Sequence, residues 1–173
     1  MTDKLIQRLT RNQIDDSKWN EAINQSSHPR VYALSWYLDC MTQNQWSALV
    51  IGDYDAVFPL YIKYKFGIPY ITQPLLCQQL GLFSKIELDE SVHKYIIEYI
   101  KTHFLKTNIL VNASGNFPFD SIAKINHILL INKAYNDIST AYNTNTKRNL
   151  KKAADQNLTF SKSTDVKKFV NFI

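Results

Sequence analysis

The stretch Trp46–Thr72, WSALVIGDYDAVFPLYIKYKFGIPYIT, decides the reading of the fold. It is a series of apolar runs punctuated by turn residues. Trp46 to Ile51 reads as a short apolar strand closed by Gly52-Asp53. From Val57 to Phe66 the side chains alternate. Phe58, Leu60, Ile62, Tyr64 and Phe66 fall on one face, and Val57, Pro59, Tyr61, Lys63 and Lys65 on the other. A period of two is that of a half-buried strand. Pro59 cannot donate to a ladder, so it predicts an edge or a bulge. Phe66-Gly67 reads as a turn, after which Ile68–Thr72 returns as a strand. The centre of the chain is therefore predicted to be an antiparallel meander.

Helical patterns flank this centre. Asp15-Asp16-Ser17 offers caps to a helix with Trp19, Ala22 and Ile23 on one side. His28-Pro29 ends it, because a residue before proline leaves the α region. A second helix carries Leu34, Tyr37, Leu38 and Met41 on one face. Downstream, residues 73–84, QPLLCQQLGLFS, read as a loop. A helix is predicted from Ser91 to Phe104, burying Ile96, Ile97, Ile100 and Phe104. Strands are predicted at Ile109–Asn112, Asn126–Asn132 and Leu158–Ser161. Asp137 or Ser139 is predicted to cap one helix running through Tyr142, Leu150 and Ala153. A last helix starts at Thr164, with Val166, Phe169, Val170 and Ile173 at i, i+3, i+4, i+7. Its pattern is still running at Ile173, so the chain reads as the N-terminal piece of a longer protein. Asn, Thr and charge rise together over residues 133–145, and a domain boundary is expected there. The reading is a first domain over 1–135 and the truncated start of a second over 136–173.

Composition narrows the class. The 173 residues are 45% hydrophobic and 13% aromatic, which excludes a disordered chain. A chain this long buries roughly 70% of its unfolded surface and needs neither disulfide nor metal to hold a core. The net charge of +5 is unevenly placed: residues 1–132 hold 12 basic and 12 acidic side chains, whereas residues 133–173 hold 8 and 3. The body is neutral and the end is basic. Cys40 and Cys77 lack CxxC spacing and read as small buried hydrophobes in a reducing compartment. Met1-Thr2-Asp3-Lys4 is followed by no apolar signal segment, and no run approaches the ~18–20 apolar residues of a membrane span. A cytoplasmic protein is expected.

Motifs for chemistry are sparse. His28, His93, His103 and His127 show no metal-ligand spacing, so no metal site is expected. There is no G-x-S-x-G, Walker A, G-x-G-x-x-G or HExxH motif. Two features remain. In the loop, Gln78-Gln79-Leu80-Gly81 has the form of a phosphate-approaching turn, since glycine lets backbone come close to an anion. Glu87, Asp89 and Glu90 separate it from the next helix. An apolar loop covering a sheet end is the competing reading. The second feature is Tyr142–Ala154, YNTNTKRNLKKAA. Lys147 and Lys151, and likewise Arg148 and Lys152, are spaced i, i+4 and form two neighbouring ridges on a helix. Such a stripe suits a phosphate-bearing ligand, and a solvated helix face is the alternative. Asn143, Asn145 and Asn149 interleave with the cations and are poor helix formers. Tyr54, Tyr61, Tyr64 and Tyr70 cluster on the meander, where core packing with outward hydroxyls is the expected role.

The succession of a helical N-terminus, the stretch from Trp46 through QPLLCQQLGLFS, a helix with strands, and YNTNTKRNLKKAADQNLTF from Tyr142 resembles a known family. It is similar to the first half of the FemAB-like branch of the Gcn5-related N-acetyltransferase (acyl-CoA N-acyltransferase) superfamily, whose members carry two such domains in tandem. The resemblance implies an α/β (α+β) fold, with a mixed, curved, mainly antiparallel sheet flanked by helices. It implies transfer of an acyl or aminoacyl group to an amine, with acyl-CoA or aminoacyl-tRNA as donor and no metal. It also implies a C-terminal domain of the same protein as partner. In the family's [RQ]-x-x-G-x-[GA] loop, Gln78 and Gly81 match the first two fixed positions, while Phe83 stands where Gly or Ala is usual. That departure implies a degenerate phosphate loop, and no catalytic residue is assigned. The alternatives are an autonomous acetyl-CoA-dependent N-acetyltransferase and a non-enzymatic module using the basic helix 147–152. On the reading of a truncated chain the basic end belongs to a fragment, so its charge does not by itself predict specific nucleic-acid binding.

Overall fold

The computed structural model describes residues 6–112, 122, 124–126, 131–156, 159 and 162. The chain divides into two compact units, Met1–Ile122 and Ala123–Ile173. The first unit is mixed α and β. In chain order it contains β1 (Ile6–Thr10), α1 (Asp16–Asn24), α2 (Ser35–Thr42), β2 (Ser47–Ile51), β3 (Ala56–Leu60), β4 (Ile62–Lys65), β5 (Ile68–Thr72), β6 (Phe83–Ser84), α3 (Glu90–His103) and β7 (Thr107–Asn108). The second contains α4 (Tyr135–Thr140) and α5 (Thr144–Asp155). Among the described residues no helix is long and apolar enough to cross a membrane.

The strands form two sheets. One has the order β1-β2-β3-β6 with every neighbour antiparallel; the other has the order β4-β5-β7, with β7 parallel to β5. In the first sheet β2 and β3 are buried along their whole length. Register explains how one strand serves two cores. Ala48, Val50 and Val57 join Trp19, Ala22, Ile23 and Leu38 of α1 and α2 in one apolar cluster. Leu49, Ile51, Ala56, Phe58 and Leu60 join Val92, Ile96 and Ile100 of α3 in a second. Alternate side chains thus leave the sheet in opposite directions, and helices cover both faces. A strand covered on both faces reads as a continuous apolar run, as SALVI and AVFPL do.

Two helices of the first unit begin at aspartate caps. Asp15 caps α1 by accepting from the Ser17 and Lys18 amides at 2.9 and 3.1 Å, and Asp89 caps α3 by accepting from Ser91 at 2.8 Å. The latter contact holds the Asp89 carboxyl below its usual range. Over the first cluster lies a polar clasp. Arg11 forks onto Asp39, Trp46 donates its indole N–H to Asp39 at 2.8 Å, and Trp19 donates to the Ala33 carbonyl at 2.7 Å. The two indoles lie 4.9 Å apart at 60°. Arg11 foremost, then the Trp46 indole, holds the Asp39 carboxyl below its ordinary value against the opposing effect of burial.

Several sequence expectations need correction. The alternating run Val57–Phe66 is two strands in different sheets, broken at Tyr61, whose carbonyl accepts from Thr72 at 3.1 Å. Pro59 lies opposite Ala48 in an unbroken register, and beyond it β6 has ended, since β6 pairs only with Ala56 and Val57. The missing donor therefore faces no further strand. The expected strand Ile109–Asn112 is replaced by β7 two residues earlier and by a single parallel bridge between Leu80 and Val111. Gln73 takes the Leu110 amide with its side chain at 3.0 Å, which interrupts the ladder. β1 and β6 had no counterpart among the predicted strands. Cys40 is exposed and only Cys77 is buried; both thiols are free, and burial raises Cys77 to about 11. The helix expected from Asp137 or Ser139 through Ala153 is two helices, because Asn143 caps a fresh start by accepting from the Thr146 amide at 2.8 Å. The predicted strands at Asn126–Asn132 and Leu158–Ser161 and the final helix from Thr164 lie outside the described residues, except for isolated positions.

Candidate functional site

The two sequence-selected features fall in different units. In the second unit, α5 places Lys147, Arg148, Lys151 and Lys152 on exposed ridges, and none of its residues is buried. Lys147 donates to the Thr140 carbonyl at 3.0 Å, and Arg148 donates to the Asn145 side-chain oxygen at 2.6 Å. Neither contact neutralises charge. Among the described residues no carboxylate forms an ion pair with any of the four cations. Among the described residues the ridge therefore has no ion-pair partner, and a positive surface of this kind is suited to an anion. The asparagines differ in role. Asn143 is the helix cap and so does contribute to stability, whereas Asn145 orients Arg148.

In the first unit, the loop Gln78-Gln79-Leu80-Gly81 is fastened on every side. The Gln78 side-chain oxygen accepts from the Tyr32 hydroxyl at 3.2 Å, and that of Gln79 accepts from Arg30 at 2.9 Å. The Leu80 amide donates to Leu110 and its carbonyl accepts from Asn112. Gly81 has φ +113°, and a Cβ there would stand 2.6 Å from Asn112 Oδ1 and 3.2 Å from its backbone nitrogen. The close approach that this glycine permits is thus occupied by Asn112. Asn112 is buried and donates to the Leu82 carbonyl at 2.9 Å, while its Oδ1 has no hydrogen-bond partner among the described residues. No helix starts at the loop; α3 begins only at Glu90.

A third feature was not selected from the sequence. A cleft of about 560 Å³ opens beside β6, lined by Gln25, Ser27 and His28 after α1, Ser84 to Leu88, and His93 in the first turns of α3. It brings two imidazoles to one hollow with Lys85 and Glu87, from positions whose spacing carries no signal. Only the packing of α1 and α3 on opposite faces of one sheet edge unites them. The Ser84 hydroxyl is engaged with the Ile86 backbone at 2.6 Å, and His93 Nδ1 lies 3.4 Å from the Asp89 carbonyl. Among the described residues no group of three or more His, Cys, Asp or Glu side chains is placed to hold a metal. A hollow of about 460 Å³ beside Arg11 and Trp46 belongs to the structural clasp at Asp39. Tyr54, one of the four meander tyrosines, is buried and its hydroxyl accepts from the Asp15 amide at 2.8 Å.

Comparison with protein-family models, curated proteins and solved structures gives no match to this chain.

Proposed function

We propose that the chain is the N-terminal part of an N-acyltransferase of the FemAB-like kind, moving an acyl or aminoacyl group from a phosphate-bearing donor to an amine. The observation that carries the reading is the exposed basic ridge Lys147, Arg148, Lys151, Lys152 on α5, which has no ion-pair partner among the described residues. Acyl-CoA and aminoacyl-tRNA both present phosphates next to a reactive ester or thioester, and a positive ridge holds such a donor without contacting the reacting bond. The sequence resemblance supplies the reaction class, and the helix-flanked, mainly antiparallel sheet is compatible with the acyl-CoA N-acyltransferase-like fold it implies. The two free thiols suit a reducing, cytoplasmic compartment. The acceptor amine must lose a proton before attack, and backbone N–H groups would steady the oxyanion. No side chain of this chain is assigned to either step.

The test is transfer of a labelled acetyl or aminoacyl group by the chain, alone and joined to its C-terminal domain, to amine acceptors. Replacing the four ridge cations by Ala should weaken donor binding by on the order of 100-fold and flatten its salt dependence. Transfer by this chain alone would favour an autonomous acetyltransferase. Donor binding without transfer in either form would favour a non-enzymatic binding module.

A further inference from the structure

The hairpin of β4 and β5 ends in a feature that folding stability disfavours. Its two-residue turn, Phe66-Gly67, has positive φ at both positions, 53° and 77°, the geometry of a type I′ turn. Gly67 suits it. Phe66 does not, because Asn, Asp or Gly normally occupies this position and a bulky side chain there is strained. Phe66 is also 93% exposed, so its ring gains almost nothing from burial. Two unfavourable choices at one position point to a contact made outside the chain.

The surroundings define the chemistry of that contact. Ile68, across the hairpin from Lys65, is 48% exposed, and Leu105, just before β7, is 80% exposed. Lys106 joins β5 through its carbonyl, which accepts from the Ile71 amide at 2.9 Å. Lys63 and Lys65 lie on one face of β4, with Lys65 Nζ 5.8 Å from the Phe66 ring. Residues 56–86 and 99–112, which include every strand of this small sheet, contain no Asp or Glu at all. Among the described residues, no ion pair engages Lys63, Lys65 or Lys106. Lysines on a free sheet edge also deter edge pairing, but that role leaves the bare Phe66 unexplained.

We propose that this end of the small sheet, with exposed Phe66 and Ile68 beside Lys63 and Lys65 on the β4–β5 hairpin and Leu105 and Lys106 just ahead of the neighbouring β7, docks on the surface of an anionic lipid bilayer. Apolar tips enter the boundary between headgroups and acyl chains, while the lysines meet the lipid phosphates and carboxylates. Single-stranded RNA is the other polyanion that meets aromatic and basic side chains. Phe66 and the exposed Tyr64 would each offer a base a ring, but the exposed aliphatic side chains Ile68 and Leu105 are of no use to a base and suit an acyl-chain boundary, which favours the lipid surface. The attachment is peripheral and independent of the acyltransferase reading.

The experiment is co-sedimentation of the chain with phosphatidylcholine vesicles containing or lacking phosphatidylserine, at low and high salt. All runs use a chain in which Lys147, Arg148, Lys151 and Lys152 are already Ala, so that α5 contributes nothing. Binding is expected only to the anionic vesicles and is expected to fall with salt. Lys63→Ala, Lys65→Ala and Lys106→Ala together should lower partitioning by on the order of 100-fold. Phe66→Ser should lower it about tenfold while leaving thermal unfolding unchanged or improved. Phe66→Trp should be quenched by brominated lipid. Absence of binding to anionic vesicles, binding unaffected by these substitutions, or an unquenched Trp at low salt would overturn the proposal. Selective binding of a poly(U) probe through the same residues, without vesicle binding, would overturn it in favour of nucleic acid.

Discussion

Strands β3 and β4 are separated by one residue, Tyr61, and belong to one uninterrupted alternating run in the sequence, yet they meet different fates. β3 is buried on both faces, and β4 is half-buried at its start and exposed at its end. Their strand propensities do not separate them; what differs is the company each keeps. α1 and α2 lie over one face of β3 and α3 over the other, whereas β4 has crossed into a second sheet as an edge strand. Composition records the outcome without explaining it: AVFPL carries no charge, and IKYK carries two.

The largest effect should come from breaking the covered strand. Phe58→Ala removes a fully buried ring packed between β3 and α3 and should cost about 3–5 kcal/mol in chemical denaturation, whereas Tyr64→Ala, six residues on, should stay within about 0.5 kcal/mol. Equal losses at the two sites would dissolve the contrast. Next is the clasp that ties α2 to β1 and Trp46 over the first face. Asp39→Ala leaves the Trp46 indole N–H without its acceptor and the Arg11 guanidinium with Asp16 alone, and should cost about 2–3 kcal/mol. The folded Asp39 carboxyl titrates below its ordinary value. Its stabilisation is therefore complete above about pH 4 and lost as the pH falls through the lowered folded value. The acid limb of an unfolding titration should lose that component in Asp39→Ala.

A smaller loss should follow from Gly81→Ala, about 1–3 kcal/mol, since the new Cβ meets Asn112 at a φ that L residues rarely adopt. Gly81→Ala combined with Asn112→Ala should recover part of it, which a purely conformational penalty would not allow. The smallest effect, and the one of opposite sign, belongs to the exposed hairpin. Phe66→Asn places a turn-preferring residue at φ 53° and should be neutral or stabilising by up to about 1 kcal/mol in thermal unfolding. A clear loss would mean that Phe66 has a packing role within the fold.

How far the sequence was legible follows the range of the interactions. α3 was legible from its apolar period and its cap at Asp89 was not, whereas Asp15 announced α1 because a cap acts on amides two or three residues away. The turn at Phe66-Gly67 and the return strand were legible for the same reason. The break at Tyr61 was not, since alternation continues through it and only the sheet exchange ends the strand. β6 was hidden because two residues carry no period, and the cap at Asn143 was hidden behind a run of helix-compatible cations. The basic ridge on α5 was legible from i, i+4 spacing, whereas the meeting of His28 and His93 at one cleft was not. The neutral charge sum of residues 1–132 concealed the acid-free small sheet, because a sum discards position.

The sequence by itself determined the start of α1, the apolar β2 and β3, the turn at Phe66-Gly67 and the cationic ridge. Each rests on contacts within a few residues, where the chain dictates its own geometry. Only the tertiary structure decided that β3 and β4 part company, that Gly81 makes room for Asn112, and that Lys106 and Leu105 stand beside β5. Those outcomes depend on which surfaces are brought together across tens of residues, and burial on both faces is a property of the neighbours as much as of the strand itself.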